Sequence, residues 1–215
     1  MSLNVDPSTA LQVGFVALAV GMTVFFSWWT GLRAIPIAWL AATGIASALG
    51  VFQDFSLPPR LVLLFLPAAI AATIFTWRAD WHQRPLSLLV GFQSFRILVE
   101  ILIHRAASEG VAPPQLSWEG RNLDIVTGVS ALLLAPVASR LPRLVLHAWN
   151  AVGAGLLINV VGVAVLSMPT PFQVFEPDNL WVGFFPFSWL PLILVMIAWI
   201  GHVALWKRLR QASAV

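Results

Sequence analysis

Four polar side chains in one apolar stretch are placed to act together. In the run RPLSLLVGFQSFRILVEILIHRAASEG, Gln93, Arg96, Glu100 and His104 follow one another at spacings of three, four and four residues. At 3.6 residues per turn they share one helix face, within an arc of about 80°. A guanidinium and a carboxylate one turn apart can pair with each other. They can also serve a bound solute, the guanidinium as counter-charge to an anionic group and the carboxylate as its partner or proton acceptor. Either charge facing lipid at mid-membrane costs about 2.5–3.5 kcal/mol on insertion scales, so this face is expected to turn into protein or a watery cavity. Two uses of the pair stay open: a buried ion pair that sets helix register, or a binding site.

Further polar residues fall at a comparable height. Asp124 opens a later apolar run beside Glu119, Arg121 and Asn122, and Glu176, Asp178 and Asn179 precede the last one. Asn159 lies about 22 Å along its helix from Leu144, near the level of Glu100. These positions predict a polar vestibule that faces outward and is floored by Arg96 and Glu100. Its candidate substrate-binding residues are Gln93, Arg96, Glu100, His104, Asp124 and Asn159, and no catalytic residue is assigned. His82, His147 and His202 project toward the opposite membrane face. Three histidines could hold a catalytic zinc with one open position, and two could clamp a haem. No HxxxH or HExxH spacing supports either. Interfacial hydrogen bonding to backbone or headgroups is the favoured reading of all three, and His202 between Trp199 and Trp206 fits an aromatic belt.

The elements that carry these residues follow from composition. The 215-residue chain is 59% hydrophobic and 10% charged, with a mean hydropathy of +0.86. Soluble domains carry about 25% charged residues, so this chain cannot present a solvated globular surface. A water-soluble enzyme, a disordered regulator and a nucleic-acid-binding domain are excluded; the net charge of +3 is spread out, with no basic block for phosphates. With no cysteine there is no disulfide or thiolate metal site.

Crossing about 30 Å of hydrocarbon takes about 20 apolar residues. Hydropathy predicts seven spans, near 11–29, 35–51, 61–77, 86–104, 123–138, 144–167 and 180–206. The fifth is short and contains Pro136, and the seventh is interrupted by Pro186 and Pro191. MSLNVDPST has no basic stretch ahead of the first span, so that span is expected to stay as a helix. With the amino terminus outside, Arg33, Arg78, Arg84, Arg140, Arg143, Lys207, Arg208 and Arg210 fall inside, whereas Arg60, Arg105 and Arg121 fall outside. That bias predicts an all-α polytopic bundle of about seven helices in the cell (inner) membrane, amino terminus out and carboxyl terminus in. Tryptophans 28, 29, 39, 77, 81 and 206 at inner ends, and 118 and 181 at outer ends, suit an interfacial belt. Small residues on helix faces, Ala68 and Ala72 among them, suit close helix packing. Residues 1–215 read as one membrane domain without an internal repeat.

A seven-helix count invites comparison with rhodopsins, but the single lysine, Lys207, lies at the membrane exit rather than inside the last helix. Through FRILVEILIH (95–104), WEGRNLDIVTG (118–128) and PTPFQVFEPDNLWVGFFPFSWLP (169–191), the chain resembles a group of functionally uncharacterised bacterial multi-pass membrane proteins. That resemblance implies a membrane bundle and supplies no activity. The leading functional expectation is binding or transport of a small solute or ion. The alternatives are a haem- or metal-dependent membrane enzyme or redox subunit, and an accessory subunit of a larger complex or homo-oligomer.

Overall fold

The computed structural model describes residues 6–81 and 83–211, all in helices and loops with no strand among them. His82 lies outside the described residues. Seven apolar helical segments follow in order: α1 (Thr9–Thr30), α2 (Ala34–Ala48), α3 (Arg60–Arg78), α4 (Leu86–Ser108), α5 (Ile125–Arg140), α6 (Arg143–Leu166) and α7 (Leu190–Gln211). Five of them, α1, α3, α4, α6 and α7, are long and apolar enough to cross a membrane. The all-helical expectation holds, but α2 and α5 fall short. At about 1.5 Å per residue α2 reaches only about 22 Å.

Local chemistry sets the helix ends. Ser8 caps α1 by accepting from the Leu11 backbone N–H at 3.2 Å. Gly31, at φ 76°, ends the helix in a left-handed conformation and returns its N–H to Ser27 O. Helices α3, α4 and α6 each start directly after a proline: Pro59, Pro85 and Pro142. The interruption expected in the last span is a short 3₁₀ turn at Trp181–Gly183, followed by α7. The first turns of α7, Leu190–Val195, are wound as a π-helix around Pro191, which has no N–H to donate.

Cross-bonds show which helix ends lie together. The Ser8 N–H and Oγ donate to the Glu109 carboxylate at 2.9 and 2.7 Å, tying the start of α1 to the end of α4. At the other end Arg208 Nε donates to Arg84 O at 3.2 Å, and Lys207 Nζ donates to Trp77 O. Several expected belt tryptophans lie inside the bundle instead. Trp29 packs on Phe92 and Trp81 with ring centroids 4.7 and 5.5 Å apart. Trp181, fully buried, packs on Phe15 and Phe187. Their rings fill helix junctions, while Trp28, Trp77 and Trp206 remain exposed.

The connection from α4 to α5 folds back into the bundle. After Gly110 the N–H groups of Val111 and Ala112 both bond to Ala106 O, at 2.9 and 3.0 Å. A short 3₁₀ turn at Pro114–Leu116 follows, and the Arg121 N–H reaches Gln115 O at 3.0 Å. Gly120 is required in this knot, because a Cβ there would stand 2.5 Å from Pro114 O. Val111, Ala112, Leu116 and Asn122 are buried. Irregular backbone packed inside the bundle is tolerated because its polar groups find partners within the loop and on the neighbouring helices. Helix α5 therefore begins near the level of Glu100, about 12 Å below the Ser108 end of α4.

Candidate functional site

Asp124, the residue at the head of α5, is delivered by this loop to the guanidinium of Arg96. Arg96 Nε donates to Asp124 Oδ2 at 2.6 Å and Nη2 donates to Oδ1, a two-pronged pair. Both residues are buried. The close approach of α4 and α5 depends on Gly128, where a Cβ would stand 2.9 Å from Ile97 N. Arg96 Nη1 then meets His202 Nε2 at 2.9 Å. A guanidinium has no acceptor, so it donates, the ring accepts at Nε2, and the ring proton sits on Nδ1. From there His202 donates to Asn150 Oδ1 at 2.8 Å, and Asn150 Nδ2 donates back to His202 O at 3.0 Å. The chain Asp124–Arg96–His202–Asn150 thus crosses four helices: α5, α4, α7 and α6.

Glu100 has a separate partner. The sequence reading allowed it to pair with Arg96, one turn away, but the guanidinium is occupied by Asp124 and His202. Glu100 Oε2 instead accepts from Asn122 Nδ2 at 2.8 Å. Asn122 is itself fixed, giving a second bond from Nδ2 to Leu116 O and accepting the Asp124 N–H through Oδ1. Arg96 and Glu100 are 2% and 1% exposed, so the charged face of α4 does turn into protein. Gln93, fully buried, lies in a 3₁₀ turn of α4 and donates to Ala198 O at 3.0 Å. Its Oε1, and Thr127 Oγ1 nearby on α5, are buried without a hydrogen-bond partner.

Two candidates lie apart from this network. His104 stacks on Trp118, ring centroids 4.2 Å apart, at the far end of α4. Asn159 is exposed and donates to Arg121 O at 2.9 Å, so it braces the loop instead of reaching Glu100. Of the loop before α7, Asn179 lines the same crevice as Arg96 and Glu100, whereas its two acids lie elsewhere. Glu176 and Asp178 border a separate pocket with Gly110 and Pro113. What adjoins the network is an apolar crevice of about 80 Å³ between α3, α4, α6 and α7. Val160, Val161, Leu194 and Phe65 contribute to its wall, and Arg96, Glu100 and Asp124 are the charged residues that reach it.

The two described histidines of this set, His147 and His202, have separate surroundings. His202 was expected one turn from the inner end of its helix, but α7 continues to Gln211, which places the ring about 14 Å inside. Both its ring nitrogens are engaged. His147 is half-buried and faces the edge of Trp206, centroids 6.4 Å apart. No group of three or more His, Asp or Glu is arranged to hold a metal among the described residues. Asn150 was not singled out from sequence, although an amide one turn after His147 in an apolar run was its available signal.

Fold and site define an all-helical, membrane-type bundle with a buried ionic network beside an apolar crevice. No family model, curated protein or solved structure matches this chain.

Proposed function

We propose that the protein spans the cell membrane seven times, amino terminus outside, and binds and carries a small cationic solute at the Glu100 crevice. The observation that carries this reading is the charge balance at the crevice wall. One guanidinium, Arg96, faces two carboxylates, Asp124 and Glu100. Asp124 takes two of the guanidinium's donors and the neutral ring of His202 takes a third. Glu100 is left with an amide as partner. A positive group is therefore the complement that this wall lacks, and an anionic solute finds Arg96 already occupied. The volume limits the occupant to something small, since one water fills about 10–15 Å³ by a comparable measure.

The test is uptake of radiolabelled methylammonium into proteoliposomes, with acetate as the comparison solute. Methylammonium should accumulate, acetate should not, and Glu100→Gln should abolish uptake while keeping the acceptor for Asn122 and the thermal stability. Equal uptake of acetate, or undiminished uptake by the folded Gln variant, would overturn the reading.

A further inference from the structure

A second and larger chamber of about 550 Å³ lies between α1, α2, α3 and α7, at the end of the bundle opposite Ser8 and Glu109. Its size falls within the about 300–1,000 Å³ of small-molecule sites. Ala68, Ala71 and Ala72 hollow out its α3 wall. Small residues in membrane helices ordinarily let another helix come close, as the sequence reading expected here. Among the described residues no helix fills that face, which lines the chamber. At its edge Trp39 Nε1 of α2 donates to Leu192 O of α7 at 2.9 Å. Opposite the alanines stand Phe26, Ile35, Ile193 and Ile197, an apolar lining suited to hydrocarbon.

The mouth is polar and differs in sign from the Glu100 crevice. Arg84 and Asp80 border it, and Asp80 Oδ1 accepts from Gln211 Nε2 at 3.4 Å. The Arg84 backbone carbonyl is bound by Arg208, and Lys207 is anchored to Trp77 O, so two further cations are held beside the opening. Arg33 at the start of α2, Arg78 in the last turn of α3 and Arg210 in the last turn of α7 add positive charge at this end, where Asp80 is the acid among the described residues. Basic pockets between membrane helices on one leaflet complement anionic headgroups. An apolar shaft with a cationic rim matches one molecular class in that setting.

We propose that this chamber binds one anionic phospholipid, an acyl chain lying against Ala68, Ala71 and Ala72 and the phosphate held at Arg84. The site is independent of Glu100 and of any transported solute. Native mass spectrometry of the delipidated protein, with equimolar phosphatidylglycerol and phosphatidylcholine added in detergent, tests it. One phosphatidylglycerol per chain should be retained in preference to phosphatidylcholine. Arg84→Gln should lower that preference about fivefold, the worth of one interfacial cation. Ala72→Phe, which fills the shaft, should remove retention of either lipid while the melting temperature holds. Glycerol phosphate, lacking a chain, should not compete. Absence of headgroup preference, retention by a folded Ala72→Phe variant, or competition by glycerol phosphate would each overturn the proposal.

Discussion

Arg96 commits three of its donors to Asp124 and His202, and these partners determine what substitutions do. Removing one member of a buried charge pair leaves the other uncompensated, at a cost of about 3–5 kcal/mol. Asp124→Ala should therefore destabilise the protein by that order in a denaturant titration. Replacing both residues, Arg96→Met with Asp124→Leu, should recover part of the loss, since neither member of the pair is left without the other. Additive losses would mean that the two do not act as a pair. Glu109, outside the spans, gives a pH prediction. Burial raises its pKa, but hydrogen bonds from Ser8 and the Arg105 charge outweigh this and hold it below the ordinary 4.5. A carboxylate with a depressed folded-state pKa contributes stability that is complete above 4.5 and lost as pH falls through the lower value. Protection of the first-turn amides of α1, their exchange corrected for the intrinsic pH dependence, should fall on acidification through that window, and Glu109→Gln should remove that fall.

At the scale of elements, two glycines with similar helical settings should respond in opposite directions. Gly128 of α5 faces the backbone of α4, where a Cβ would meet Ile97 N at 2.9 Å. Gly155 of α6 has nothing within 4 Å of that position. Gly128→Ala should push α5 away from α4, loosen the Arg96–Asp124 pair and lower the melting temperature. Gly155→Ala should raise it slightly, by up to about 1 kcal/mol of helix propensity. If both variants melted alike, the close α4–α5 contact would not be what limits stability. The folded-back loop explains why α5 can be short: its first residue needs to reach only the level of Glu100. Sequence hydropathy shows the shortness, but it does not show that a buried loop supplies the missing depth.

For the whole molecule, the proposed topology can be checked because the chain has no cysteine of its own. Single cysteines at Ser56 and Ser108 should react with an impermeant maleimide added to intact spheroplasts, and one at Ser139 should react only after permeabilisation. All three positions are exposed. Labelling of Ser139 from outside would reverse the proposed orientation, and labelling of all three would break the span count. The same architecture separates two regions of different character. The acidic crevice wall lies within the bundle, and the chamber with the basic rim lies at one end. A substitution in one should leave the readout of the other unchanged.

Composition and the helix-length apolar runs together determined the helical, membrane-type architecture, because 59% hydrophobic residues leave too little polar surface for water. Periodicity also determined that Arg96 and Glu100 turn inward, since a charge on a lipid-facing stripe is costly wherever the helix packs. Their partners were decided only in three dimensions. Local spacing favoured Arg96 with Glu100, yet the folded-back loop brings Asp124 and Asn122 to them, and the length of α7 brings His202. Such contacts join residues far apart in the chain, and their geometry depends on close approaches at Gly120 and Gly128 that no one-dimensional pattern encodes. Ala72 makes the same point from the other side. Its small side chain is visible in the sequence, but only the arrangement of α1, α2, α3 and α7 turns that smallness into a chamber.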